Sequence, residues 1–239
     1  QCRPRACPYS HPSAHTVNSV ATAPTVARIT VVLVAAGANV NDADAWGVSA
    51  TTMAAHSNFE DLVEFLLDKG ANPNPDEAGF SAIHPAIMHR STRVVRALLD
   101  HGANANAVLK TWTPERRTSK DFSFHPEMVG ATPLWLAARF NQPEVMRLLL
   151  AHGADPKFVF RADYVPDGGN PPEDIFRHRI YVTSILMAAV GMGGGREWVA
   201  VDRGQKEALT LEAVKIAVES GSEVNVANAD GRTALDAAR

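Results

Sequence analysis

Thr132-Pro133-Leu134-Trp135-Leu136-Ala137-Ala138 opens the stretch of sequence that decides the fold, and Gly153-Ala154-Asp155-Pro156-Lys157 closes it. Threonine is a natural helix N-cap, and proline fits the first helical turn that follows it. Between the two blocks, residues 145–150 place apolar side chains at the spacing of one buried helix face. Gly153 is the expected helix stop, because glycine enters the left-handed conformation at little cost. The stretch therefore predicts two short helices that pack together.

The two blocks recur along the chain at matched spacing. Ser49, Ser81 and Thr132 each stand 21 residues before a closing glycine. Counted over the whole chain, the capping positions are Thr16, Ser49, Ser81, Thr132, Thr183 and Thr233, with successive separations of 33, 32, 51, 51 and 50 residues. The first two separations match a known helical repeat of about 33 residues, and the others contain 17 or 18 additional residues. The pattern predicts an array in which each repeat buries its apolar face against its neighbours.

The repeated blocks resemble the ankyrin-repeat family, in which Thr-Pro-Leu-His-x-Ala-Ala precedes a second helix and a Gly-Ala-Asp-x-Asn loop. The resemblance covers residues 26–239 and implies an all-α solenoid of helix-turn-helix units with β-turn fingers, about five repeats plus a partial terminal one. It implies a framework role for His84, which is expected to bond neighbouring fingers. Trp135 takes the same position in repeat four and is expected to pack. Residues 1–25 are expected to form a poorly ordered leader.

Three insertions interrupt the period, near residues 108–129, 158–181 and 191–210. The first two leave successive fingers and are predicted to form a shared lip beside the concave face. The alternative is that these loops merely tolerate length, because the cost of loop closure grows slowly with length. The insertions also resemble an uncharacterised bacterial class of ankyrin-repeat proteins with long finger insertions, which implies a bacterial origin.

The third insertion is predicted to separate a first helix at residues 183–190 from a second helix at about 211–219. Its glycines, at residues 191 and 193–195, are expected to act as a flexible hinge. In repeat three, Pro85 is expected to loosen the first helix because it removes a backbone donor.

Composition and motifs argue against several other functions. The formal net charge of -3 predicts no basic surface for nucleic acid, and no apolar run reaches the roughly 18 residues of a membrane span. Cys2, Cys7, His11 and His15 are metal-ligand types, but their spacing differs from that of a zinc finger, so no metal and no cofactor is predicted. The chain has no Gly-x-Ser-x-Gly or His-Glu-x-x-His motif. No catalytic residue is predicted, and the protein is expected not to be an enzyme.

The predicted function is non-enzymatic binding of another protein through the finger tips and the concave face of the first helices. The resemblance places candidate contact residues at Trp46, Val48, His56, Phe80, Met88, His89, Trp112, Arg116, Arg139 and Phe140. Interface hot spots favour aromatic and Arg side chains. An exposed apolar ridge is therefore expected, flanked by His89 and Arg139 and made of Trp46, Phe80, Met88 and Phe140. The alternative for Trp46 and Phe80 is packing between adjacent fingers.

A second predicted function is that of a scaffold or effector array within a larger protein whose activity lies in another domain. The partner is expected to be a protein of unknown identity, with no nucleic acid and no membrane insertion. The chain is expected to be a monomer or part of a longer chain, soluble, and either cytoplasmic or exported, with its true N-terminus missing.

Overall fold

The computed structural model describes residues 23–111, 124–164 and 179–238. Contacts divide the chain into two units, Gln1–Asn39 and Val40–Arg239. In the first unit, helix α1 (Ala23–Ala35) is followed by Gly37 at a φ of 95°. Ala38 then donates its N–H to the Leu33 carbonyl at 3.0 Å, which closes the helix end. Gly37 is therefore the helix stop that the sequence predicts.

The second unit is a solenoid of helix pairs, as the repeats predict. Its pairs are α2 (Ala50–His56) with α3 (Glu60–Asp68), α4 (Ile83–Met88) with α5 (Thr92–Asp100), α6 (Pro133–Arg139) with α7 (Pro143–Ala151), and α8 (Ile185–Ala189) with α9 (Arg203–Glu219). A short helix, α10 (Ala234–Ala237), opens the partial repeat. First helices stack on first helices and second helices on second helices, so that two layers enclose the core.

Side-chain caps begin the described first helices except α4, whose N-cap is Ala82, so the expected cap at Ser81 is wrong. Ser49 and Thr132 cap α2 and α6 as predicted, each accepting from the N–H three residues further on, at 3.2 and 3.4 Å. In repeat five the cap is Ser184, at 3.3 Å from the corresponding N–H, and the expected cap at Thr183 is wrong. Thr183 is the last residue but one of a strand, and its hydroxyl has another partner.

Pro85 is the third residue of α4 and lies in its first turn. The N–H groups of a first turn have no partner within the helix. The missing donor of Pro85 therefore removes no helical hydrogen bond, and the expected loosening is wrong.

Asparagine side chains join the loops of successive repeats. The Oδ1 atoms of Asn41, Asn74 and Asn106 accept N–H bonds from the loop of the following repeat at 2.7, 2.7 and 2.8 Å. The Nδ2 atoms of Asn74 and Asn106 donate to the carbonyls of Gly102 and Gly153, at 2.9 Å each. The last pair spans the first insertion, so repeats three and four are joined in the same way as repeats two and three.

The insertions contain more regular structure than the sequence predicts. The ends of the second form an antiparallel pair, β1 (Val159–Tyr164) and β2 (Arg179–Ser184), in which Phe160 lies opposite Thr183. A 3-10 helix (Pro126–Met128) ends the first. Helix α9 begins at Arg203, capped by Asp202, and not at about residue 211 as expected. Only residues 191–202 of the third insertion lack helix, and we name them the strap.

Candidate functional site

The expected apolar ridge is largely buried. Phe80, Met88 and Phe140 are 4%, 2% and 5% exposed, so their predicted exposure is wrong. Phe80 packs against Phe124 of the first insertion, with ring centroids 5.2 Å apart. Phe140 is covered by the guanidinium of Arg139, which lies 5.6 Å from its ring centroid. Phe80 and Phe140 therefore belong to the packed layer under the surface and are not exposed to a partner.

Trp46 and Val48 lie on the finger of repeat two. Trp46 is 40% exposed and Val48 is half-buried. Asp44 shapes this finger, because its Oδ1 accepts the N–H groups of both Trp46 and Val48 at 2.9 Å. Asp44 N–H also donates to the Val48 carbonyl at 3.1 Å, so the tip is a closed turn. Trp112 and Arg116, the candidate contact residues of the first insertion, lie outside the described residues.

The strap crosses the ends of the first helices. Arg139, at the end of α6, donates from Nε to the Gly193 carbonyl at 3.2 Å. Glu127, in the 3-10 helix, accepts the N–H of Gly195 on Oε2 at 3.2 Å. A side chain at Gly193 would place its Cβ 2.7 Å from the Trp135 ring, so the glycines permit close contact. Close packing thus applies to Gly193, Gly194 and Gly195, whereas a Cβ at Gly191 meets nothing within 4 Å, and the expected hinge stays a prediction.

Trp198 of the strap lies on two imidazole rings. Its ring centroid is 5.3 Å from that of His56 and 5.0 Å from that of His89, both in edge-on geometry. Phe124 adds a third ring at 5.1 Å. His89 donates from Nε2 to the His56 carbonyl at 2.8 Å, which fixes both residues below the tryptophan. Burial lowers the pKa of His89, and its bond to His56 offsets part of that effect.

Two half-buried arginines, Arg90 and Arg139, lie on this face, and Glu197 of the strap acts on the charge of both. Arg90 donates to the carbonyls of Phe140 and Asn141 at 2.6 and 3.0 Å. Burial lowers the pKa of Arg90 and of Arg139, and the charge of Glu197 on the strap offsets part of the effect at both. Beside the strap is a cavity of about 350 Å³ whose lining includes Arg139, Arg196, Glu197 and Lys206. We name the surface made by the repeat-two finger, His56, His89, Arg90 and Arg139 the finger face.

The first two insertions contact each other beside the finger face. Tyr181 in β2 donates its hydroxyl to Glu127 Oε1 at 3.0 Å. Phe160 in β1 packs on Trp135 with ring centroids 4.5 Å apart, and both rings are fully buried. The indole of Trp135 donates to Thr183 Oγ1 at 3.0 Å, so the packing role expected for Trp135 is confirmed. The described ends of these insertions therefore meet, while the loops predicted to form the shared lip lie outside the described residues.

His84 has the framework role that its position predicts. It is fully buried, donates from Nε2 to the Ala107 carbonyl at 3.1 Å, and accepts the Ser81 N–H on Nδ1 at 3.2 Å. Burial lowers its pKa to about 4, although the bond to Ala107 opposes the shift. The ring is therefore neutral at pH 7 and holds one tautomer.

The part of the chain that the structure describes contains neither a cluster of metal-ligating side chains nor a membrane-spanning helix. No group of three or more His, Cys, Asp or Glu residues is placed there to hold a metal ion. No described helix combines the length and apolar character that crossing a membrane requires. The leader residues Cys2, Cys7, His11 and His15 lie outside the described ranges.

Sequence reasoning missed four residues of this site: Phe124, Glu127, Glu197 and Trp198. Trp198 is the only aromatic residue in the third insertion, and this isolation in a glycine-rich stretch is the available signal. Its contacts with His56 and His89 join residues more than 100 positions apart, which no local pattern predicts.

Family models and related sequences match the repeats. A model described as Ankyrin repeats (3 copies) matches residues 23–108, and one described as Ankyrin repeat matches residues 129–159. Human BCL-6 corepressor-like protein 1 is 30% identical over 112 residues, which are 46% of this chain and 5% of that protein. Human Ankyrin repeat and SOCS box protein 2 is 31% identical over 124 residues, 52% of this chain and 16% of that protein.

A plant relative, BTB/POZ domain and ankyrin repeat-containing protein NBCL of Lupinus angustifolius, is 33% identical over 103 residues, 43% of this chain and 17% of that protein. The matches thus span a small part of these relatives. Other relatives include viral proteins, and the bacterial origin stays a prediction. The crystal structure of EF0377, an ankyrin repeat protein, superimposes with a TM-score of 0.58 and 19% identity, covering 92% of this chain and 89% of that one. At 19% sequence identity, this similarity shows a shared fold and nothing about function.

Proposed function

Since this chain is an ankyrin-repeat protein, and such repeats generally serve as protein–protein interaction modules, we propose that it binds another protein on its finger face. The observation that supports the proposal most directly is Trp46, a large aromatic side chain that stays 40% exposed at the tip of a finger. Tryptophan is enriched among the few residues that dominate binding energy. Asp44 holds the tip in shape, so little order has to be gained on binding.

The proposed contact residues are those that the structure leaves accessible around that tip. They include Val48 beside Trp46 and, along the ends of the first helices, the half-buried His89 and Arg139. His56 is 9% exposed. Its proposed contribution to binding is the part of its ring that packs edge-on with Trp198 of the strap. Trp112 and Arg116 remain proposed contacts on the first insertion. The binding is proposed to be non-enzymatic, in keeping with a family that is generally an interaction fold.

Affinity capture with a matched pair of variants tests the proposal. The parent, Trp46→Ala and Leu235→Ala are each immobilised and exposed to an extract of the organism that makes the protein. Leu235 is the control, because it is 66% exposed and apolar but lies on α10, away from the finger of repeat two. We expect one protein to be retained by the parent and by Leu235→Ala, and about tenfold less of it by Trp46→Ala, as for a hot-spot truncation. Equal retention by all three contradicts the finger face.

A second candidate function is that of a scaffold or effector array within a larger protein whose activity lies in another domain. The support is that the matched segments cover 5% to 17% of three relatives, two of which are named for a SOCS box or a BTB/POZ domain as well as for ankyrin repeats. An antibody against the repeats tests this on the endogenous product. A band well above 25.7 kDa favours the larger protein, and a band at that mass opposes it.

A further inference from the structure

The strap is longer than its position in the solenoid requires. In repeats two, three and four, three residues connect the first helix to the second. In repeat five, 13 residues connect α8 to α9. Extra length that is merely tolerated is expected to project into solvent. Instead, the strap lies against repeats two, three and four, on the face where ankyrin arrays bind.

Two adjacent residues supply the strap's side-chain interactions with this face. Trp198 stacks edge-on with His56 of repeat two and His89 of repeat three. Glu197 and Arg139 line the same cavity. Burial lowers the pKa of Arg139 and of Arg90, and the negative charge of Glu197 opposes this effect at both. Two consecutive residues thus complement this face. The carboxylate of Glu197 complements the guanidinium groups of Arg90 and Arg139, and the indole of Trp198 packs on the imidazoles of His56 and His89.

Side chains of the solenoid hold the strap backbone through hydrogen bonds that the backbone of another extended segment can also form. Within the described chain, the backbone of residues 193–197 has two hydrogen bonds, from Arg139 to Gly193 and from Gly195 to Glu127. Both are of the kind that any extended segment makes, one through a carbonyl and one through an N–H. The strap itself contains no helix or strand, so its displacement breaks no helix and no strand ladder.

We infer that the finger face binds an extended segment of a partner protein in which an acidic residue directly precedes an aromatic residue, and that Glu197 and Trp198 fill this site until such a segment displaces them. The inference rests on the proposed function, and it adds the partner's chemistry and a means of regulation. Because strap and partner compete, the apparent affinity equals the intrinsic affinity multiplied by the fraction of molecules in which the strap is not seated. Weakening the strap therefore strengthens binding.

A synthetic peptide with the sequence of residues 193–202, Gly-Gly-Gly-Arg-Glu-Trp-Val-Ala-Val-Asp, is the probe. It is titrated by calorimetry into the parent and into the double variant Glu197→Gln/Trp198→Ala, whose fold is checked by circular dichroism. We expect the double variant to bind the peptide at least about tenfold more tightly than the parent does. Peptides carrying Glu197→Gln or Trp198→Ala are expected to bind the double variant at least about tenfold more weakly.

Equal affinity of both proteins, or no binding by the folded double variant, overturns the inference. If the double variant does not fold, hydrogen exchange of the parent at saturating peptide gives the answer. Faster exchange at residues 193–201, with α5 unchanged, supports displacement, and unchanged exchange in the strap overturns it. If Trp46→Ala loses a captured partner while the folded double variant does not bind the peptide, the proposed function stands and this inference fails.

Discussion

At the scale of single residues, His84 and Trp135 show how two different side chains meet one structural need. They occupy the same position in adjacent first helices, and each donates a ring N–H to the following finger. The acceptor is the Ala107 carbonyl for His84 and the Thr183 hydroxyl for Trp135. The repeat pattern predicts both roles. It does not predict Thr183 as the acceptor, because a residue beyond an insertion has no fixed register.

Burial of His84 makes stability depend on pH. Its pKa falls from 6.5 to about 4 in the folded protein. Between these values the unfolded chain binds a proton that the folded chain does not, so the unfolded state is favoured as pH falls. The stabilising effect of the neutral ring is complete above pH 6.5 and is lost as pH falls towards 4.

A His84→Gln variant isolates this effect. We expect the parent to lose roughly 2 kcal/mol relative to the variant between pH 7.5 and pH 5, because one pKa unit corresponds to about 1.4 kcal/mol. Urea unfolding of both proteins across this range measures the difference, and titration of the carboxylates common to both cancels. A difference that stays constant with pH shows that His84 is protonated in the folded state as readily as in the unfolded one.

At the scale of elements, sequence periodicity locates the helix pairs but not the segments that cover them. Helix α9 begins eight residues before the expected start, because Asp202 caps a polar first half that apolar periodicity does not reveal. The repeat pattern places Phe80 on an exposed ridge, whereas Phe124 from the first insertion covers it. Such contacts depend on where a long loop returns in space. Local spacing contains no information on that, whereas the repeat helices and their caps follow local rules.

The close packing of the strap on α6 predicts different tolerances of two of its glycines. Gly191 and Gly193 have φ values of 94° and 101°, so alanine is strained at both. A Cβ at Gly193 would lie 2.7 Å from the Trp135 ring, whereas a Cβ at Gly191 meets nothing within 4 Å. We expect Gly191→Ala to cost about 1–2 kcal/mol and Gly193→Ala to cost roughly 1–3 kcal/mol more. Chemical denaturation measures both, with Gly191→Ala as the matched control.

Equal destabilisation by these two glycine variants shows that the strap moves away from Trp135 freely. A larger effect at Gly193, together with a changed near-ultraviolet signal of the tryptophans, shows that it is seated in solution.

At the scale of the whole second unit, the strap changes how the repeats depend on one another. In a simple solenoid, each repeat contacts its neighbours alone, and stability is close to a sum of repeat and interface terms. Here Trp198, between the helices of repeat five, packs on His56 in repeat two and His89 in repeat three. Loss of this contact is therefore expected to lower the local stability of repeats two and three, which are not neighbours of repeat five.

Hydrogen exchange of Trp198→Ala tests this long-range coupling, with Val199→Ala as the control because Val199 is the next residue and 39% exposed. We expect Trp198→Ala to cost about 1–2 kcal/mol, since the indole is half-buried, and hence to speed exchange at the ends of α2 and α4 by roughly 5- to 30-fold. Val199→Ala leaves these helices unchanged, because its side chain faces solvent. If faster exchange in Trp198→Ala is confined to residues 191–219, the repeats are coupled only to their neighbours, and the strap is a passive cover. If it reaches α2, the strap couples the occupancy of the finger face to the stability of the repeats that form it.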